Sequence, residues 1–108
     1  MDVTYAVFLE EDVHEDRRKL PGNVRQRVRR AISDLGADPR PAGSLALDAS
    51  GLDLPAGVEV RRFRLGPWRL VYAVHDAEAW VWVLALRHRP PYDYADLQRL
   101  LKRLPPSE

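Results

Sequence analysis

The sequence contains no cysteine, so it can form neither a disulfide framework nor a thiolate metal site. No apolar run approaches the roughly 20 residues that a membrane-spanning helix needs. The N-terminal stretch MDVTYAVFLEEDVHED also lacks the basic start and long apolar segment of a signal peptide. These absences predict a soluble, unprocessed, cytoplasmic protein that does not contact a membrane.

The net charge is also small, at +1, although charged residues make up 31% of the chain. Residues 1–16 include six acids and no Lys or Arg, whereas residues 17–30 include seven basic residues and no acid. Local fields can therefore be strongly positive in a chain that is almost neutral overall. A length of 108 residues suits one hydrophobic core, and we expect residues 1–108 to form a single domain.

The hydrophobic pattern predicts an α+β fold with the element order β-α-α-β-β-β-α. The predicted strands cover residues 3–9, 58–65, 68–75 and 79–87. Together they are expected to form an antiparallel sheet of about four strands. Residues 36–57, which are dense in Gly, Pro, Asp and Ser, are expected to form a long connection anchored by Leu45 and Leu47.

Two helices joined by a tight turn are predicted between the first two strands. The first covers residues 10–19, and the second begins at Pro21 or Asn23 and ends near Gly36. This αα-hairpin is expected to pack on one face of the sheet. A leucine stripe predicts a short C-terminal helix and is expected to serve as core rather than as an interface; it comprises Leu97, Leu100, Leu101 and Leu104.

The stretch RRFRLGPWRLVYAV, residues 61–74, predicts a β-hairpin that turns at Gly66-Pro67. Glycine at the first loop position suits a type II′ turn, and proline at the second needs no ladder N–H. This turn places Arg64 opposite Arg69, and alternation directs Arg62, Arg64 and Arg69 to one face. The opposite face receives Phe63, Leu65, Trp68, Leu70 and Tyr72.

A three-residue loop at residues 76–78 is expected to set His75 opposite Ala79. In that register, the last strand adds Trp80, Trp82, Leu84 and Leu86 to the apolar face. It adds Val81, Val83, Ala85, Arg87 and Arg89 to the arginine-bearing face. We therefore expect all three tryptophans to lie in the core beneath the helices, rather than to stack on RNA bases.

Like charges opposite each other in a sheet are destabilising, by ~0.2–1 kcal/mol per pair. A solvated face of splayed arginines is one explanation. The convergence of several arginines favours an anion site instead, because a guanidinium group binds phosphate through two parallel hydrogen bonds. The backbone of RNA or DNA is the ligand that this pattern indicates.

Three segments of the chain resemble the RelE/ParE superfamily of toxin–antitoxin toxins, and together they span nearly the whole sequence. They are RRKLPGNVRQRVRRAISDLGADPRPAGSLAL, VRRFRLGPWRLVYAV and LALRHRPPYDY. The resemblance implies a compact α+β fold and a cognate antitoxin as partner. RelE-like members are ribosome-dependent endoribonucleases that cleave mRNA without a metal or other cofactor, through attack of the 2′-hydroxyl group on the adjacent phosphate.

The resemblance also implies roles for individual residues. Arg62, Arg64, Arg69 and Arg89 match basic catalytic positions of RelE-like toxins. Tyr92 and Tyr94 are both candidates for the catalytic tyrosine, and His88 is an alternative acid or base although alternation points it away from the arginines. Residues 17–30 then form either a solvated helix face or a contact with ribosomal RNA phosphates.

Two further interpretations remain open. ParE-like members of the superfamily share the fold and inhibit DNA gyrase, so gyrase is the alternative partner to the ribosome and mRNA. An inactive homologue that only binds an antitoxin is the third interpretation.

Overall fold

The structure, a computed structural model, describes residues 4–88 and 96–104. Its elements are β1 (Ala6–Leu9), α1 (Glu11–Arg18), α2 (Gly22–Leu35), β2 (Ser44–Ala46), β3 (Val58–Leu65), β4 (Trp68–His75), β5 (Trp80–His88) and α3 (Leu97–Leu101). The predicted α+β class is confirmed. The predicted order of elements is also confirmed, with one short strand, β2, added inside the long connection.

The five strands form one sheet with the order β1-β5-β4-β3-β2. β1 pairs with β5 in parallel, and the other neighbouring strands pair antiparallel. The expected antiparallel sheet of about four strands is therefore corrected to a mixed sheet of five. The αα-hairpin returns the chain to the end of the sheet where β1 begins. β5 starts at the same end, so β1 and β5 run in the same direction.

The αα-hairpin packs on one face of the sheet, which we call the helical face. Its buried residues Val13, Val28, Ile32 and Leu35 form a core cluster with Leu70, Tyr72 and other residues of the central strands. Gly36, at the end of α2, lies so close to β1 that a Cβ there would be 3.1 Å from the Tyr5 carbonyl oxygen. The backbone N–H of Tyr5 donates to the Gly36 oxygen at 2.7 Å, which fixes the end of α2 beside the start of β1.

A second core cluster lies on the opposite face, which we call the arginine face because Arg62, Arg64 and Arg69 project from it. The leucine stripe of α3 is buried there, as predicted, against sheet residues that include Val60, Val71, Ala73 and Ala85. Leu47 packs against the same cluster, whereas Leu45, the other expected anchor, is 55% exposed. The aliphatic floor between the arginines is thus covered rather than open.

The predicted β3–β4 hairpin is confirmed residue by residue, from Leu65 opposite Trp68 to Arg62 opposite Val71. Gly66 has a φ of +59°, as the first position of a type II′ turn requires. The next turn differs from the prediction. It has four residues and ends at Ala79, a non-glycine residue with a φ of +55°, so His75 pairs with Trp80.

This longer turn reverses the faces of the first part of β5. Trp80 and Trp82 lie on the arginine face, and Val81 and Val83 join the core beneath the helices. A β-bulge then shifts the register between Val71 and Tyr72, which leaves Leu84 as the additional residue. Beyond the bulge, Leu86 and Arg87 return to their predicted faces.

Within the described residues, no helix combines the length and apolarity needed to cross a bilayer.

Candidate nucleic-acid interface on the arginine face

The sheet brings three of the predicted site residues onto one face. Arg64 pairs with Arg69, and Arg69 pairs with Arg87, so these arginines form one row across β3, β4 and β5. Arg62 lies two residues before Arg64 in β3 and therefore projects from the same face. Arg89, Tyr92 and Tyr94, the other predicted site residues, lie outside the described residues.

Arg62 and Arg64 are the solvent-facing members of this group. Arg64 is exposed and Arg62 is half-buried. In the part of the chain that the structure describes, no ion pair joins either guanidinium to a carboxylate. Two cations on one strand thus have no carboxylate partner among the described residues, an arrangement that can bind phosphate.

Arg69 has a different environment from its neighbours in the row. It is only 1% exposed, and its Nη1 donates to the Gly66 carbonyl oxygen at 3.0 Å and to the Trp68 oxygen at 3.1 Å. These bonds tie the guanidinium to the β3–β4 turn. The Arg69 side chain is therefore a buried part of the hairpin, next to the strand that carries Arg64.

Arg87 was expected on this face, but its partner was not visible in the sequence. Its Nη2 donates to Oδ2 of Asp96, the residue that precedes α3, and Arg99 Nη2 donates to the same oxygen at 3.0 Å. The Arg87 guanidinium is the main reason that the pKa of the Asp96 carboxyl is held below its usual range. Asp96 therefore anchors the start of α3 beside the arginine row.

The described tyrosines are placed away from the arginine face. Tyr72 is buried on the helical face, where its hydroxyl donates to the Pro39 carbonyl oxygen at 2.7 Å and burial raises its pKa. Tyr5 donates to Asp76 at 2.7 Å, and this hydrogen bond raises the pKa of the Tyr5 hydroxyl. Neither hydroxyl is poised to accept a proton at the arginine row.

The aromatic residues near the site follow the corrected register. His88 is exposed and contacts Trp68 edge-on, with ring centroids 4.6 Å apart, on the helical side as alternation predicted. Trp82 stacks on the exposed Phe8 at 5.0 Å, and its Nε1 donates to Glu10 at 2.8 Å. Trp80 is buried in the cluster under α3. The tryptophans are thus divided between the two faces, which corrects the expectation that the helices cover all three.

Among the described residues, no group of three or more His, Asp or Glu side chains is arranged to hold a metal ion.

Comparison with solved structures shows similar folds in toxin–antitoxin proteins. The structure matches the archaeal RelE–RelB complex from Pyrococcus horikoshii OT3 with a TM-score of 0.70 and 24% identity, over 82% of this chain and 99% of that chain. It matches the RelBE2 complex from Mycobacterium tuberculosis with a TM-score of 0.63 and 28% identity, over 82% of this chain and 98% of that chain.

A third match is a free variant of the Escherichia coli toxin RelE, with a TM-score of 0.59 and 21% identity, over 93% of this chain and 96% of that chain. A search of curated proteins finds no match.

Sequence comparison assigns the chain to a family. The family model described as the ParE toxin of type II toxin–antitoxin systems, parDE, matches residues 7–90. This segment contains both helices of the αα-hairpin, strands β2 to β5, and all of β1 except Ala6. Together with the shared fold, the match shows that the chain belongs to the ParE toxin family within the RelE/ParE superfamily, and is a toxin of a toxin–antitoxin system.

Proposed function

We propose that this toxin is a ribosome-dependent endoribonuclease that cleaves mRNA on the arginine face. The observation that carries the proposal is the pair of solvent-facing guanidinium groups of Arg62 and Arg64, set beside the row that Arg69 and Arg87 complete. RNA supplies both the phosphate that such a pair binds and the 2′-hydroxyl nucleophile. The fold shared with RelE toxins supports the same assignment.

In the proposed reaction, the 2′-oxygen forms a bond to phosphorus while the bond from phosphorus to the 5′-oxygen breaks. The products are a 2′,3′-cyclic phosphate and a 5′-hydroxyl end. Negative charge grows on the non-bridging phosphate oxygens, and fixed cations stabilise that charge without having to reorganise. Arg62 and Arg64 would contact these oxygens, and Arg69 would hold the turn beside Arg64 through its bonds to the Gly66 and Trp68 oxygens.

The reaction also needs a base for the 2′-hydroxyl proton and an acid for the 5′-oxygen. Tyr92 and Tyr94 are the candidates, since Tyr5 and Tyr72 are held elsewhere by Asp76 and the Pro39 oxygen. Neighbouring arginines would lower a tyrosine pKa and so favour its action as a base. His88 is the remaining alternative, and its position on the helical side argues against it.

We propose a cognate antitoxin as the protein partner, and the cytoplasm as the place of action. Several structures with the same fold are complexes of a RelE toxin with a RelB antitoxin. An antitoxin that covered the arginine face would keep mRNA away from Arg62 and Arg64.

Inhibition of DNA gyrase is the second candidate function, and one observation favours it: the family model that matches the chain is that of the ParE toxin. Under this alternative the arginine face would carry no nuclease activity.

The test is expression of the toxin and of two variants in a bacterial host, followed by primer extension on mRNA and a plasmid supercoiling assay. Arg64→Ala removes an exposed cation from the arginine face. Arg27→Ala removes a cation from α2 that is also exposed, and serves as the matched control. The proposal predicts codon-phased cleavage by the wild type and by Arg27→Ala, and its loss in Arg64→Ala. Gyrase inhibition without cleavage would establish the second candidate, and neither effect would indicate an inactive homologue.

A further inference from the structure

A basic cleft lies in the corner of the αα-hairpin, outside the arginine face. It has a volume of about 440 Å³ and is lined by Arg17 and Arg18 from the last turn of α1 and by Arg25, Gln26 and Arg29 from α2. Four guanidinium groups from two helices thus border one concavity. None of the described residues that line it is acidic.

These arginines are not neutralised by neighbours within the described residues. The ion pair that involves the cleft joins Arg18 to Glu15 at 3.9 Å, and both side chains are largely exposed, so this contact is weak. The first turn of α2, which borders the cleft, contains no acidic residue and receives no capping hydrogen bond from a side chain. The partial positive charge of that helix end therefore adds to the charge of the arginines.

The cleft lies at the same end of the molecule as the arginine row. The end of α2 is fixed beside the start of β1, where Ala6 pairs with Trp80. The 14 residues of α2 extend about 21 Å from there towards the other end of the sheet. Arg27 and Arg30 accordingly share a groove with Leu65, next to the Gly66-Pro67 turn. The start of α2 is therefore close to the turn that carries Arg64 and Arg69.

We propose that this cleft binds the sugar–phosphate backbone of structured RNA, as an anchoring site separate from the arginine face. A folded RNA presents phosphates at regular spacing, and two basic surfaces at one end of a small protein can engage phosphates of the same RNA. Four arginines around one cleft suit a ligand with repeated phosphates better than they suit a single small anion. The inference rests on the proposed function, because it assumes that the target of the toxin is RNA.

The experiment measures binding of the full-length protein to a fluorescent 20-base-pair RNA hairpin across a range of salt concentrations. Two double variants each remove two arginines of the cleft. Arg25→Gln/Arg29→Gln removes those of α2, and Arg17→Gln/Arg18→Gln removes those of α1. The control Arg27→Gln/Arg30→Gln lowers the net charge by the same amount, but at the side of α2 that faces away from the cleft. All of these side chains except that of Arg17 are exposed, and circular dichroism checks that each variant is folded.

Each cleft variant is expected to bind about tenfold more weakly at low salt, and to lower the slope of log K against log salt by about 1.5 through the loss of two phosphate contacts. The control should stay within about threefold of the wild type. An equal loss in the control, or an unchanged slope in the cleft variants, would overturn the proposal. Tighter binding of the wild type to a DNA hairpin of the same sequence would overturn the assignment to RNA.

The outcome of this experiment is separable from that of the proposed function. Cleavage of mRNA on ribosomes is measured in parallel with Arg64→Ala, which leaves the cleft intact. If the wild type does not cleave, the nuclease proposal fails whatever the hairpin shows. If the wild type cleaves and the cleft variants bind RNA normally, the anchoring site alone is refuted.

Discussion

Neighbouring arginines of β3 have opposite environments on the two faces of the sheet. On the helical face, Arg61 donates to Glu59 and to Ser44, each at 2.9 Å. Arg40 extends this network towards the end that carries the β4–β5 turn, with Glu59 at 3.2 Å and two hydrogen bonds to Asp76. On the arginine face, no ion pair among the described residues neutralises Arg62 or Arg64.

Arg61, Arg62 and Arg64 lie within four residues of sequence, yet only Arg61 forms an ion pair among the described residues. Arg61 projects to the helical face, where a carboxylate and a hydroxyl accept from its two Nη atoms and its side chain is 13% exposed. Arg62 and Arg64 project to the arginine face, where no described carboxylate pairs with them. A cation that the fold has already paired is less available to a ligand, so the proposed function predicts a role for Arg62 and Arg64 and none for Arg61.

The largest effect is expected when Arg62 and Arg64 are both removed. The double variant Arg62→Ala/Arg64→Ala should lower the rate of mRNA cleavage on ribosomes by about 10²-fold or more, because fixed donors to the developing charge are lost. Its thermal midpoint should stay close to that of the wild type, since no ion pair within residues 4–88 and 96–104 holds either side chain. Wild-type cleavage by this variant would show that Arg62 and Arg64 form only a solvated surface.

The reverse pattern is expected for the paired arginine. Arg61→Ala should lower the free energy of unfolding by about 1–2 kcal/mol, because hydrogen bonds to a charged group are lost at a largely buried position. Urea denaturation measures this change, with Arg62→Ala as the neighbouring control, expected within about 0.5 kcal/mol of the wild type. The folded fraction of Arg61→Ala should still cleave mRNA. Equal stability of the two single variants would contradict the distinction between the paired Arg61 and its neighbour Arg62.

A smaller effect is expected from Asp76, because it is more than half exposed. Asp76→Asn weakens the Arg40 pair and the hydrogen bond from Tyr5, and should cost under about 1 kcal/mol. Tyr5 also reports the change spectroscopically. Its pKa is raised chiefly by Asp76, so Asp76→Asn should move the tyrosinate absorbance titration of Tyr5 to lower pH. A titration that does not move would show that the network at this end does not form in solution.

The smallest effect is a pH dependence at Asp96. Its pKa is lowered in the folded state, mainly by Arg87, so its contribution to stability is complete well above the unfolded pKa of about 3.9. That contribution is lost as the pH falls through the lower, folded pKa. The difference in unfolding free energy between the wild type and Asp96→Asn should therefore be present at pH 6 and shrink towards zero in strong acid. A difference that grows in acid would contradict this sign.

The comparison of the two turns of the sheet shows what could be predicted. Gly66-Pro67 combines two residues whose backbone preferences specify one turn, so the register of β3 and β4 followed from local sequence. Ala79 adopts a left-handed conformation that its side chain does not favour, and nothing in the sequence indicates it. The faces of Trp80 and Trp82 were predicted wrongly for this reason.

Contacts between residues that are distant along the chain could not be predicted from the sequence either. Asp96 follows Arg87 by nine residues on another element, and their hydrogen bond depends on where α3 docks. The strand β2 arises because a three-residue segment of an irregular connection meets the edge of β3. Short segments of this kind carry too few residues for a periodic pattern to identify them.

The sequence by itself determined the α+β class, the β3–β4 hairpin and the common face of Arg62, Arg64 and Arg69, because alternation along a strand and the chemistry of a two-residue turn are local properties. Only the tertiary structure decided that Arg69 is buried, that Arg61 is paired and that α3 covers the sheet beside the arginine row. Burial and pairing arise from contacts between segments that are far apart in the sequence, so no single segment determines them.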